Sequence, residues 1–144
     1  MVALDPKVFG PHYWFFLHTI TLNYPKYPNA GTKKKYYEFI QNIPMFIPVE
    51  KHANDFSKLL DEYPVSPYLD SRDSFIRWMH FIHNKVNEKL EKPKISLSKF
   101  YIDYYDAYKP KSVELIQYYK LREKFLYTGI LFLIVGSIYY LYDR

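Results

Sequence analysis

Apolar residues recur along this chain at three- and four-residue spacing, in stretches separated by short proline-rich breaks, a pattern that predicts helices joined by loops. From Pro11 to Tyr24, the residues Tyr13, Trp14, Leu17, Ile20 and Tyr24 share one face, with Pro11 placed to start the helix and Pro25 and Pro28 to end it. Asn29, Ala30 and Gly31 read as a loop before Thr32, the expected N-cap of a second helix carrying Tyr36, Phe39, Ile40 and Ile43, which Pro44 kinks or closes. Pro48 suits the first position of a third helix with His52, Phe56, Leu59 and Leu60, and Pro64 and Pro67 stop it. Asp70 or Ser71 caps a long fourth helix whose inner face takes in Phe75, Trp78, Met79, Ile82, Val86 and Leu90, with Pro93 as terminator. A helical turn or two around Phe100, Tyr101, Tyr104 and Tyr105 leads to Pro110, and Ser112 is the expected cap of a last helix of about 30 residues. No period-two run of β-branched residues competes, so the predicted fold class is all-α.

The last helix differs from the others in having no polar face over its second half. Phe125 to Tyr142 contains no formal charge, and is bracketed by Lys120, Arg122 and Lys124 before it and by Asp143 and Arg144 after it. That stretch is long enough for a hydrocarbon core of about 30 Å, so a single membrane span over about 125–142 is expected. Tyr127, Tyr139, Tyr140 and Tyr142 lie near its two ends, where amphipathic rings favour the headgroup layer. The basic residues ahead of the span favour a cytosol-facing amino-terminal domain, as in a tail anchor. Met1 to Gly10 carries no apolar run behind a basic start, so no secretory signal is expected. The competing reading is a hydrophobic helix buried in a partner. Residues 1–110 are thus expected to form the folded domain, and residues 111–144 a stalk and anchor.

Composition narrows the chemistry more than it narrows the fold. With 144 residues, 49% apolar and 21% aromatic, the chain has material for one packed domain and is far from a disordered tail. The formal charge of +5 is a mild excess. Lys33-Lys34-Lys35-Tyr36-Tyr37 is a basic and aromatic cluster that reads as a solvated helix start, and no nucleic-acid partner is expected. The absence of cysteine excludes a disulfide framework, a thiolate zinc site, a cysteine nucleophile and a dithiol redox centre built from these residues.

Three segments carry a more specific signal. Phe9-Gly10-Pro11-His12-Tyr13-Trp14, followed by Leu17-His18-Thr19 and Tyr24-Pro25, opens the series. Ile47-Pro48-Val49-Glu50-Lys51-His52-Ala53-Asn54-Asp55-Phe56 comes next, and Trp78 through His83-Asn84-Lys85-Val86-Asn87-Glu88-Lys89-Leu90-Glu91-Lys92-Pro93 closes it. In this order and spacing, over roughly Phe9 to Tyr105, they resemble the Erv/ALR family of flavin-linked sulfhydryl oxidases. The last segment is similar to the family's W…HNxVNxKLxKP helix almost position for position. The middle one stands where the family has PCxxCAxDF.

The resemblance implies a four- or five-helix bundle holding FAD, with paired cysteines at the start of the third helix passing electrons from thiols to the flavin. A thiolate there would be favoured by the positive end of the helix dipole. In this chain the two cysteine positions are Val49 and His52, and a further family cysteine position is His80. Neither valine nor histidine forms a mixed disulfide, so dithiol oxidation is not expected. Carried over residue by residue, Trp14 and His18 would flank the flavin cofactor, while His83, Asn84, Asn87 and Lys89 would hold its adenosine and pyrophosphate. The resemblance leaves two outcomes for these six positions: a retained FAD pocket, or residues that now cap and cross-link the bundle. The expectation is that no cofactor is required, with FAD as the alternative. His52, His80 and His83 could also converge as a zinc constellation, but histidines in ordinary hydrogen bonds are the expected outcome, and no metal is predicted.

The functional expectation is a membrane-anchored pseudoenzyme of sulfhydryl-oxidase ancestry acting as a scaffold. Its compact domain is similar to the sulfhydryl oxidases of large double-stranded DNA viruses. That similarity implies a minor capsid or inner-membrane-linked virion component between capsid and membrane, with capsid or other virion proteins as partners. A homodimer through the first helices is the family's common arrangement and a further partner to test. The rival expectation is an FAD-binding flavoprotein, or a thiol oxidoreductase that uses a partner's cysteines.

Overall fold

The structure, a computed structural model, describes residues 4–109 and 113–143, and they form helices with no strand among them. The chain divides into two compact units, Met1–Tyr104 and Tyr105–Arg144. The expected boundary at residues 110 and 111 therefore falls six residues later than the observed one. The cap expected at Ser112 lies outside the described residues.

The first unit is built on four helices. Helix α1 (Pro6–Leu22) starts earlier than the pattern predicts, because Asp5 accepts a 2.8 Å hydrogen bond from the Lys7 N–H and Pro6 occupies the first turn. Pro11 therefore lies inside the helix rather than opening it. It forfeits the bond to the Lys7 carbonyl on an exposed stretch where water can replace it. Helix α2 (Ala30–Asn42) is capped by Asn29, whose side-chain oxygen accepts from Thr32 N at 2.8 Å, so Thr32 receives the cap that it was expected to supply. A short 3₁₀ turn, Ile43–Phe46, contains Pro44 and closes this helix. Helix α3 (Glu50–Glu62) has Val49 as its N-cap, with no side-chain bond, and Pro48 stands outside it instead of at its first position.

Helix α4 (Arg72–Lys89) is capped by Ser71, which accepts from Ser74 N. Its end is a Schellman turn. Glu91 takes a left-handed φ of 56°, the Lys92 N–H reaches the Asn87 carbonyl at 2.8 Å, and the Glu91 N–H reaches that of Glu88 at 3.1 Å. Leu90, expected on the inner face, is instead the exposed C-cap.

The inner faces of α1 to α4 meet in one core. Leu17, Ile40, Phe56, Leu60, Phe75, Trp78, Met79 and Ile82 are all buried there, each contributing on the order of 1.5–3 kcal/mol through apolar burial. Tyr24, just beyond α1, is completely buried and donates from its hydroxyl to the Leu69 carbonyl at 2.9 Å. Trp78 Nε1 donates to the Tyr63 carbonyl at 3.1 Å. Helix α5 (Leu97–Asp106) adds a smaller cluster in which Ile76, Phe100 and Tyr104 are buried.

The second unit contains α6 (Val113–Tyr142), an uninterrupted 30-residue helix of about 45 Å. Its stretch Leu115–Tyr142 is long and apolar enough to cross a membrane, and none of it is buried within the chain.

Candidate functional site

One cavity of about 580 Å³ opens in the first unit, lined by α1, α3, α4, the turn after α4, and α5. Its size falls in the range of about 300–1,000 Å³ found for small-molecule and cofactor sites. Trp14 and His18 reach it from successive turns of α1, since a spacing of four returns a helix to the same face. His83, Asn87 and Lys89 reach it from α4, and His52 from the first turn of α3.

At the centre is a histidine pair. His18 Nε2 and His83 Nδ1 are 2.9 Å apart and share one hydrogen bond. Burial, and to a lesser extent the neighbouring imidazoles, press His18 down to about 3. Burial again dominates at His83, with His80 and Lys92 adding to it, and lowers that ring to about 4. Both rings are therefore neutral at pH 7, and only one of them donates in the shared bond. His83 also stacks on Trp14 with ring centres 3.9 Å apart and an interplanar angle of 9°. That contact leaves no slot between the two rings, so a planar ligand could lie only against an outer face of the stack. His18 is 3% exposed, and its second ring nitrogen, Nδ1, is buried without a hydrogen-bond partner. An orphaned polar atom beside a cavity is the mark of a site that a ligand or water completes.

Of the six cofactor positions read from the sequence, Trp14, His18, His83, Asn87 and Lys89 line this cavity. Asn84 does other work: its amide oxygen accepts from Ile95 N at 2.8 Å, and its Nδ2 donates to Ile95 O at 2.9 Å. It clamps the segment after Pro93 onto α4 as a strand partner would.

The three former cysteine positions also diverge. Val49 ends in extended backbone at the N-cap of α3. His52 and His80 line the cavity. His80 Nε2 lies 2.8 Å from the Ile95 carbonyl, which can only accept, so this nitrogen carries the proton. Among the described residues no group of three or more His, Asp or Glu side chains could hold a metal ion, so His52, His80 and His83 do not form the zinc constellation considered above.

Sequence reasoning did not assign Phe100, Tyr104 or Lys92 to the site, yet all three line it. Phe100 lies against His18 with centroids 4.3 Å apart, and Tyr104 stacks on Phe15 at 5.0 Å. The amphipathic spacing of Phe100 and Tyr104 was the available signal, but it announces a buried face and not what that face covers. The basic-aromatic cluster at Lys33 behaves as expected of a helix start: Lys33 pairs with Asp70 at 2.5 Å, and Lys34 approaches Glu38 at 3.9 Å.

The aromatic walls, the unpaired His18 nitrogen and the lysines Lys89 and Lys92 fit a cofactor that is both aromatic and anionic, as FAD is. Comparison with known proteins leads the same way. The chain is 36% identical over 89 residues to the mitochondrial FAD-linked sulfhydryl oxidase erv1 of Schizosaccharomyces pombe, covering 62% of this chain and 49% of that protein. A FAD-linked sulfhydryl oxidase homologue of invertebrate iridescent virus 3 is 30% identical over 98 residues, covering 66% and 64%. The chain thus spans about half the length of its fungal relative and somewhat more of the viral one. The crystal structure of the FAD binding domain of Erv1 from Saccharomyces cerevisiae superimposes with a TM-score of 0.61 at 34% identity, over 65% of this chain and 88% of that one. The family pattern itself runs across α1 to α5, matching residues 11–106, and the chain therefore belongs to the Erv1/Alr family.

Proposed function

We propose that this protein is a catalytically disarmed member of the family, tethered to a membrane by α6 and acting as a structural component. The observation that carries the reading is the occupancy of the redox positions. Val49 caps α3, His52 follows it by one turn, His80 binds a backbone carbonyl, and the whole chain has no sulfur able to form a disulfide. The likeness to a viral homologue supports a place in the particle of a large double-stranded DNA virus, as a minor capsid protein linking the shell to an inner membrane. Its partners there would be capsid or other virion proteins. In that reading α6 spans the membrane once, and the basic residues before the span keep the bundle on the cytosolic side. Val8 and Phe16 are exposed on α1, at 66% and 56%, which supports self-association of the bundle through its first helix.

The test is an oxygen-consumption assay on the full chain in mild detergent, with dithiothreitol as the thiol. No consumption above the rate without protein is expected. Turnover that persists after removal of trace metals would overturn the reading.

A second reading has its own observation: the cavity remains open, with the His18 nitrogen unpaired inside it. In this reading FAD is retained, held by Trp14, His18, His83, Asn87 and Lys89. When bound, FAD supplies a two-electron acceptor, and the electrons would have to come from a partner's thiols. A near-ultraviolet and visible absorbance spectrum of the detergent-purified protein decides the matter. A stoichiometric flavin band supports retention, and a colourless, well-folded helical protein removes it.

A further inference from the structure

We propose that His18 and His83 form an acid-released latch that holds α5 against the bundle as one wall of the cavity. The attachment of α5 is unusually dependent on imidazoles. Phe100, its main buried side chain, lies against His18 at 4.3 Å and approaches His80 at 6.0 Å. The segment leading into α5 is fixed where His80 and Asn84 bind the Ile95 backbone, at 2.8 to 2.9 Å. Further along, Tyr104 is tied to α1 through a 2.8 Å hydrogen bond with Thr19 and its stack on Phe15.

Acid loads this seam with charge that nothing nearby offsets. On α1 the ionisable groups are Tyr13 and His18 itself. Around the cavity, α3 contributes Lys51, His52 and Asp55, α4 contributes His80, His83 and Lys89, and the following turn contributes Lys92. From α5 come Asp103 and Tyr104. Both carboxylates already face lysines, Asp103 toward Lys99 at 2.9 Å and Asp55 toward Lys89 at 3.9 Å. A first proton can be shared across the His18–His83 bond. A second leaves N–H groups facing each other beside the buried His18 ring, which costs more than the bond returns.

The least expensive relief is to admit water by detaching α5. Its cluster has three buried residues, Ile76, Phe100 and Tyr104, whereas the main core has twelve. Local opening follows the thinnest packing. Phe100 and Tyr104 also line the cavity, so release of α5 removes one of its walls.

The absence of native cysteine makes a direct test available. In the full chain, in detergent as purified, Ile76→Cys places a thiol under α5, Val65→Cys places one in the main core, and Ser98→Cys provides an exposed reference. Labelling by a disulfide reagent active in acid, normalised to the exposed site, is followed from neutral pH down to about 3, so that both His83 and His18 titrate. The Ile76→Cys rate should rise at least about tenfold while Val65→Cys stays protected. His83→Phe, which keeps a ring against Trp14, should move that opening to lower pH. The proposal is overturned if Ile76→Cys remains protected throughout, if both buried thiols open together, or if opening is unchanged in a folded histidine variant. None of these outcomes depends on the structural role proposed above.

Discussion

Helices α4 and α6 are both long and rich in large apolar side chains, yet they dispose of them in opposite ways. In α4, Phe75, Trp78, Met79 and Ile82 are buried against α1 and α3, while Arg72, Asp73 and Arg77 remain outside. In α6, Phe132 and Leu133 are each 73% exposed, and no side chain of the apolar stretch is buried. The difference lies in periodicity. An apolar stripe with a polar back can be satisfied by neighbouring helices, whereas a helix apolar all round requires lipid or an enclosing partner. Hydrophobicity alone does not state where a helix goes; its angular distribution does.

The strongest way to break this comparison is to give α6 a polar face. Leu131→Arg combined with Ile134→Arg should oppose insertion by about 5–7 kcal/mol and move the protein out of the membrane fraction in flotation. Unchanged, salt-resistant membrane retention would show that α6 is not a lipid-embedded span. The converse applies to α4. Trp78→Ala removes a 2% exposed ring and its bond to Tyr63, and should cost about 3–5 kcal/mol in urea unfolding. Phe132→Ala should leave the bundle's unfolding within about 0.5 kcal/mol of the parent.

Acid sharpens the contrast inside the bundle itself. The unfolded state takes up protons at His18 and His83 near pH 6.5, while the folded rings wait until about 3 and about 4. Between those limits the unfolded chain binds more protons, so stability is fully present above pH 6.5 and declines as pH falls through the window. The pair shares one bond and titrates jointly, and the loss should be on the order of 2–3 kcal/mol. His83→Phe should flatten this part of a stability-versus-pH curve measured by urea titration. A curve that keeps its slope without His83 would remove the pair as its source.

Smaller effects separate real helix ends from apparent ones. Ser71→Ala and Asn29→Ala should each cost about 1 kcal/mol, and Thr32→Ala clearly less, because Asn29 and not Thr32 caps α2. Smallest of all, Glu91→Gly should stabilise the Schellman turn by about 0.5 kcal/mol, since glycine adopts a φ of 56° without a Cβ clash. Thermal unfolding of the three cap variants and of Glu91→Gly would resolve that order.

Much of the fold was legible in the sequence because helices are written locally. The inner face of α4 followed from three- and four-residue spacing, apart from Leu90, which the turn at Glu91 carries out to solvent. Proline was the less faithful guide. Pro11 and Pro48 both look like first-turn residues, but Asp5 and Pro6 supply an earlier start for α1, and the cap of α3 falls at Val49. A proline marks where a helix can begin, and the competing cap decides where it does. The site was only partly legible for a related reason. Asn84 and Asn87 stand in the same motif three residues apart, yet one clamps the Ile95 backbone and the other lines the cavity.

The sequence by itself determined the all-helical class, the apolar character of α6, the kinship of the first hundred residues and the loss of sulfur from the redox positions. Each of these is a property of residue identity or of spacing along the chain. Only the tertiary structure decided that His18 and His83 share a hydrogen bond across 65 positions, that one nitrogen of His18 is left without a partner, and that Phe100 of α5 covers the pair. Those facts depend on how helices distant in sequence pack side by side, and burial, hydrogen bonding and proton affinity are set by that packing and not by local pattern.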